Sequence, residues 1–151
     1  MFTQQIMTGP ALSIDLDESL ARARRMFKIH GIHHLLVTEQ QRLVGLLTQD
    51  DLWRQLSPFL NTPSERPQDI ATLRRRVHQG MTRQPLTITA DTPIREAAQS
   101  MWVHGLSCLP VVDEEHRPIG IVTRSDLLLS GCVLGEGDFA APPPGIGAFA
   151  L

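Results

Sequence analysis

The chain has 151 residues, 42% of them apolar, and 14 Lys and Arg against 16 Asp and Glu for a formal net charge of −2. That length fits one domain or two small halves sharing a core, and the near-neutral charge gives no global pull toward nucleic acid or anionic lipid. No apolar run approaches the roughly 20 residues that span a bilayer, the N-terminus lacks a signal-peptide layout, and Cys108 and Cys132 form no CxxC, so a cytoplasmic protein with reduced thiols and no metal centre is expected.

In chain order, Met7-Thr8 opens a segment that can be laid on the one opened by Met81-Thr82. Leu12-Ser13-Ile14 then faces Leu86-Thr87-Ile88, an apolar-polar-apolar run suited to a strand. Asp17 and Asp91 stand where helix N-caps are expected, with Pro93 in the first turn. Leu20, Ala23 and Phe27 face Ile94, Ala97 and Met101; Ala98 completes the i, i+3, i+4, i+7 spacing of a helix with one apolar face. Gly31 and Gly105 follow as C-terminal glycines. Leu35-Leu-Val37 and Leu109-Pro-Val111 read as second strands, followed by polar turns.

Both segments then end on the same heptad, Gly45-Leu-Leu-Thr-Gln-Asp-Asp51 and Gly120-Ile-Val-Thr-Arg-Ser-Asp126, and each heptad is followed by Leu. Each unit therefore reads β-α-β-β-α, one internal duplication rather than a long array. The boundaries expected are 7–57 for the first unit, 58–80 for a linker, 81–132 for the second unit and 133–151 for a Gly/Pro-rich tail. In the linker, Ile70, Leu73 and Val77 predict a short amphipathic helix. Gly135 to Leu151 opposes regular structure and is expected to be mobile or to order only against a partner.

Two such units, each closed by Gly, two aliphatics, Thr-x-x-Asp, resemble a tandem pair of CBS domains, a Bateman module. Cys108-Leu-Pro-Val-Val-Asp113 carries the second-strand signature, whereas the first unit has Leu36 for the proline and Thr38-Glu39 for Val-Asp. The resemblance implies an α/β fold in which two units pack sheet to sheet about a pseudo-twofold axis. It also implies clefts for adenosine-containing ligands (AMP, ADP, ATP, sometimes S-adenosylmethionine or a cyclic dinucleotide), a regulatory rather than catalytic role, and a homodimer formed through the helices.

Thr-x-x-Asp at a helix start is also a variant of the capping box, and the acid suits the positive helix end. The same geometry serves a ligand: free N–H groups and the Thr hydroxyl can donate to phosphate, and an ionised Asp accepts from ribose hydroxyls. The resemblance implies clefts shared between the units. One would combine Thr48 and Asp51 with Thr87, Leu106, Ser107 and Pro110; the other would combine Thr123, Arg124 and Asp126 with Ser13, Ile32 and His33. Arg124 favours phosphate where Asp50 in the first heptad opposes it, so the second cleft is expected to be the main site.

His30, His33 and His34 have no acidic or thiol partner at ligand spacing, so lining or surface roles are expected. Arg74-Arg-Arg76 and the Arg22, Arg24, Arg25 set read as solvated faces. Trp53 and Trp102 read as packing residues, and Cys108 as a small core residue. No catalytic arrangement or P-loop is present, so no enzyme is expected. The function expected is a regulatory adenine-nucleotide module signalling to an unidentified protein target, with no required cofactor. The alternative is a ligand-free structural or interaction module.

Overall fold

A computed structural model of the chain describes residues 1–132. The expectation for the 133–151 tail lies outside the described residues. The chain divides into two compact units, one of Leu12–Pro85 and one of Met1–Ala11 with the segment from Leu86 onward.

In the Leu12–Pro85 unit the elements run β1 (Ser13–Asp15), α1 (Leu20–His30), β2 (His34–Glu39), β3 (Arg42–Thr48), α2 (Gln49–Gln55), α3 (Pro67–Ala71) and β4 (Thr82–Arg83). β1 pairs parallel with β2, Ser13 opposite Leu36, and β2 pairs antiparallel with β3, His34 opposite Thr48. β4 lies antiparallel on the far edge, with Gly45 opposite Arg83 and Leu46 opposite Thr82. The apolar face of α1 closes the core: Leu20, Ala23 and Phe27 are buried with Leu35, Val37, Leu47 and Leu52. A fully buried leucine contributes roughly 1.5–3 kcal/mol, so this face rather than helix propensity holds α1 in place.

The other unit repeats the plan with α4 (Ile94–His104), β5 (Cys108–Val112), β6 (Pro118–Thr123) and α5 (Arg124–Leu129). β5 and β6 pair antiparallel from Cys108 and Thr123. The first strand expected here is reduced to one parallel bridge, Ile88 to Val111, and the far edge to one antiparallel bridge, Thr8 to Ile121. Ile94, Ala97, Ala98 and Met101 bury with Leu109, Val111, Val122 and Leu127. Gly31 and Gly105 end α1 and α4 in the left-handed conformation, at φ 60° and 63°, where a side chain would be strained.

Three local expectations change. The cap of α1 is Ser19, whose hydroxyl accepts from the Arg22 N–H, not Asp17; α4 starts at Pro93 without a side-chain cap, and Asp91 instead accepts from the Thr89 hydroxyl. The linker helix ends at Ala71 and is followed by two 3₁₀ turns, Thr72–Arg74 and Val77–Gln79. Its continuation is stopped because Arg75 and Arg76 turn extended before the second 3₁₀ turn, and residues 75–78 hydrogen-bond along the entry to α1: Leu20 N–H to Arg75 O (2.8 Å), Val77 N–H to Glu18 O (2.9 Å) and His78 N–H to Leu16 O (3.1 Å). The basic run is not simply solvated, since Arg75 donates to Gln55 O at 2.8 Å and Arg76 to Asp17 O at 2.8 Å.

The third change concerns the heads of the repeats. Residues 1–4 make the same bonds at the entry to α4: Ile94 N–H to Met1 O, Thr3 N–H to Thr92 O and Gln4 N–H to Ala90 O. The duplication thus reaches upstream of Met7 and Met81, to Met1 and Arg75. The head of the first repeat is built into the unit that contains the second, and the head of the second into the unit that contains the first.

Candidate functional site

Both Thr-x-x-Asp motifs lie where an antiparallel strand turns into a short helix. β3 delivers Thr48 to the start of α2, and β6 delivers Thr123 to the start of α5. Each forms a reciprocal capping box. The Thr48 hydroxyl accepts from the Asp51 N–H (3.1 Å) while Asp51 Oδ2 accepts from the Thr48 N–H (2.9 Å). Thr123 and Asp126 repeat this at 3.4 and 2.7 Å, and the Thr123 hydroxyl also lies 3.0 Å from Asp126 Oδ2.

The two carboxylates differ in what they have left over. Asp51 Oδ1 faces the Arg54 guanidinium at 3.6 Å, and its side chain is 14% exposed. Asp126 places both of its Thr123 bonds on Oδ2, so Oδ1 has no partner among the described residues. The sequence reading missed Arg54, although its i, i+3 spacing from Asp51 is a recognisable pairing signal; the matching position in the second repeat is Leu129.

The residue after each Thr ties the helix start to the loop before the second strand of the same unit. Gln49 N–H donates to His33 O at 3.1 Å, and Gln49 Oε1 lies 3.0 Å from His33 Nδ1. Arg124 N–H donates to Ser107 O at 3.2 Å, and Arg124 Nε to Leu106 O at 3.0 Å. Arg124 is thereby held by one nitrogen of its fork, and the terminal pair can still meet an anion. Burial and the neighbouring His33 lower the pKa of half-buried His34, which keeps its ring neutral at pH 7.

By unit, Ser13, Ile32, His33, Thr48 and Asp51 belong to Leu12–Pro85, and Thr87, Leu106, Ser107, Pro110, Thr123, Arg124 and Asp126 to the other. Within the first, Ser13 sits on β1 and His33 against Gln49. Within the second, Pro110 is fully buried and its carbonyl accepts from Ile88 N–H at 3.0 Å. Among the described residues no group of three or more His, Cys, Asp or Glu could hold a metal ion, and no helix is long and apolar enough to cross a membrane.

The glycine of each heptad lets a neighbouring segment come close. A Cβ on Gly45 would collide with the Met81 sulfur and stand 3.0 Å from Thr82 O; one on Gly120 would stand 2.8 Å from the Met7 sulfur and 3.0 Å from Thr8 O. These glycines admit the exchanged head segments.

A family model described as CBS domain matches residues 4–52 and 75–130. A CBS domain-containing protein of Dictyostelium discoideum is 37% identical over 131 residues, 85% of this chain and 89% of that one. The chain spans about a fifth of the length of the next curated relatives that it matches. Among solved structures, the CBS domain pair of protein MJ0100, in complex with 5'-methylthioadenosine and S-adenosyl-L-methionine, aligns with a TM-score of 0.71 at 26% identity over 87% of this chain and 97% of that one. The cytosolic domain of the Mg2+ channel MgtE in complex with ATP aligns with a TM-score of 0.65 at 27% identity, covering 82% of this chain and 46% of that one. With two helix starts built alike, two matched regions and this agreement in fold, the chain belongs to the CBS domain family and carries a tandem pair.

Proposed function

We propose that the protein is a regulatory, non-catalytic module of the cytoplasm that binds an adenosine-containing ligand and passes energy or metabolite state to a protein target as a homodimer. The observation that carries this reading is Asp126. Its Oδ2 takes both Thr123 bonds, and the Oδ1 of this half-buried residue is left to accept from a ribose hydroxyl. Thr123, Arg124 and Asp126 then form the main site with Ser13, Ile32 and His33. Thr48 and Asp51 form the weaker one with Thr87, Leu106, Ser107 and Pro110, because Arg54 already faces Asp51 and Asp50 opposes phosphate. AMP, ADP and ATP are the ligands favoured by Arg124, with S-adenosylmethionine the next candidate; the two neighbours solved with adenosine compounds support this class.

The competing reading is a ligand-free structural module, which the completeness of both capping boxes favours. Thermal unfolding with AMP, ADP, ATP and S-adenosylmethionine separates the two. Ligand at 100 times its Kd adds about 2.7 kcal/mol, and the gain is expected to vanish in Asp126→Asn, which keeps an oxygen for the Thr123 N–H, yet to survive in Asp51→Asn. An unmoved midpoint with all four compounds would leave the structural module standing, and equal shifts in both variants would remove the Thr123 site.

A further inference from the structure

The duplication sets a recess at matching positions of the two repeats, and the two recesses differ in chemistry. In the unit that contains α4 and α5 it is an apolar groove of about 270 Å³ whose lining includes Ala98, Leu128 and Cys132. In Leu12–Pro85 the matching residues are Arg24, Trp53 and Ser57, and the recess is larger, about 620 Å³. Arg54 joins them where the other repeat has Leu129, and Leu56, Pro58 and Leu60 add apolar lining. The wall after α2 is fixed by the chain itself. Ser57 Oγ donates to the buried Asp69 carboxylate at 2.7 Å and accepts from the Phe59 N–H at 3.2 Å, while the Ser57 N–H donates to the Thr72 hydroxyl at 3.2 Å. Leu56 is buried in the core of the unit and Leu60 packs against it.

The cations at this recess are largely unspent. Arg24, half-buried on α1, has no hydrogen-bond or ion-pair partner among the described residues. Arg54 faces Asp51 at 3.6 Å, beyond hydrogen-bond length, with its side chain 75% exposed. The nearby acids are engaged: Asp51 in its capping box and Glu65 by the Asn61 N–H at 2.7 Å. Trp53, 62% exposed, offers an aromatic face between cations and apolar lining. We propose that this recess binds a small aromatic carboxylic acid, its carboxylate on Arg24 and Arg54 and its ring on Trp53. A guanidinium fork matches a carboxylate with two parallel N–H bonds, and an indole face takes a ring in an offset stack. Pockets of several hundred Å³ that mix apolar lining with a few polar groups suit ligands of that size. A bare inorganic anion would leave Trp53 and the leucines unused, and a neutral aromatic would leave Arg24 unpaired. The site lies within one unit and depends on neither the nucleotide reading nor the homodimer.

Two probes of one shape test the proposal, 2-naphthoate and its neutral amide, 2-naphthamide. The chain has two tryptophans, Trp53 and Trp102, so the indole N–H signals of ¹⁵N-labelled protein report the two recesses separately, and Trp53→Phe identifies which signal is which. Naphthoate should move the Trp53 signal saturably and leave that of Trp102 in place. Naphthamide should bind about ten-fold more weakly, the scale of losing one charge-assisted pair. Arg24→Gln, with its fold checked by circular dichroism, should bring naphthoate down to the level of naphthamide and leave naphthamide unchanged. Equal affinity of acid and amide in the wild type would overturn the proposal without any variant. So would a shift of Trp102 in place of Trp53, or no saturation by naphthoate. A Trp53 signal that ignores both probes and moves instead with protein concentration would give the recess to a contact between copies. No nucleotide enters the experiment, so its failure and that of the nucleotide reading stay distinct.

Discussion

Cys108 shows how much one buried side chain reports about its unit. It is 3% exposed at the head of β5, and burial pushes its thiol from 9.0 up to about 12. The thiol is neutral when protonated, so between those values the unfolded chain has released a proton that the folded chain still holds. The folded state then binds more protons, and stability must fall as pH rises from about 9 toward about 12. The slope is at most 1.36 kcal/mol per pH unit, and nothing is lost below the unfolded value. The chain has no tyrosine and a single lysine, Lys28, so few other groups titrate in this window. Urea unfolding at pH 8, 9 and 10 should show the wild type losing stability faster than Cys108→Ala; parallel curves would mean that the thiol is more accessible than its surroundings indicate.

Among single residues, those whose role is local were legible in the sequence. Gly31 and Gly105 stop their helices because only the left-handed conformation closes them there, and each Thr-x-x-Asp motif caps the helix that it begins. The helix faces were legible for the same reason, because Leu20, Ala23 and Phe27 repeat at the helical period. Asp17 and Asp91 misled because two acceptors stood near each helix start, and backbone direction rather than residue type chose Ser19 for one and a turn through Thr89 for the other. The contrast between Asp51 and Asp126 was half legible, through the spacing of Arg54. The state of Oδ1 depends on where Thr123 places both of its bonds, which no spacing encodes.

At the scale of elements, the least legible feature is the exchange of heads. A two-residue strand such as Thr82–Arg83 has no periodicity of its own, and its partner β3 is remote in sequence. The glycines provide the trace. Gly45 and Gly120 sit mid-strand, where glycine ordinarily weakens a sheet, and each is matched by a Met-Thr head that crosses it. Gly120→Ala should therefore cost about 1–3 kcal/mol, the usual range for overpacking, read by urea unfolding. Met7→Ala on the same background removes the sulfur 2.8 Å from the new methyl group but leaves Thr8 O at 3.0 Å. The double variant should recover only part of the loss, since that carbonyl belongs to the strand pairing itself. Full recovery would assign the whole cost to the flexible Met7 side chain and take the close backbone approach out of the account.

For the whole molecule, a net charge of −2 conceals an uneven division: Leu12–Pro85 holds eleven Lys and Arg against eight Asp and Glu, and the remainder of the chain three against eight. Exposed charges interact within about 8 Å at 0.15 M ionic strength and within about 3 Å at 1 M, so any self-association that draws on this division weakens as salt is added. The homodimer of the proposed reading is tested first by mass: light scattering at micromolar concentration and about 0.15 M salt should give twice the 16.8 kDa chain mass, and a single mass there would overturn the homodimer while leaving the adenosine-ligand reading to its own titration.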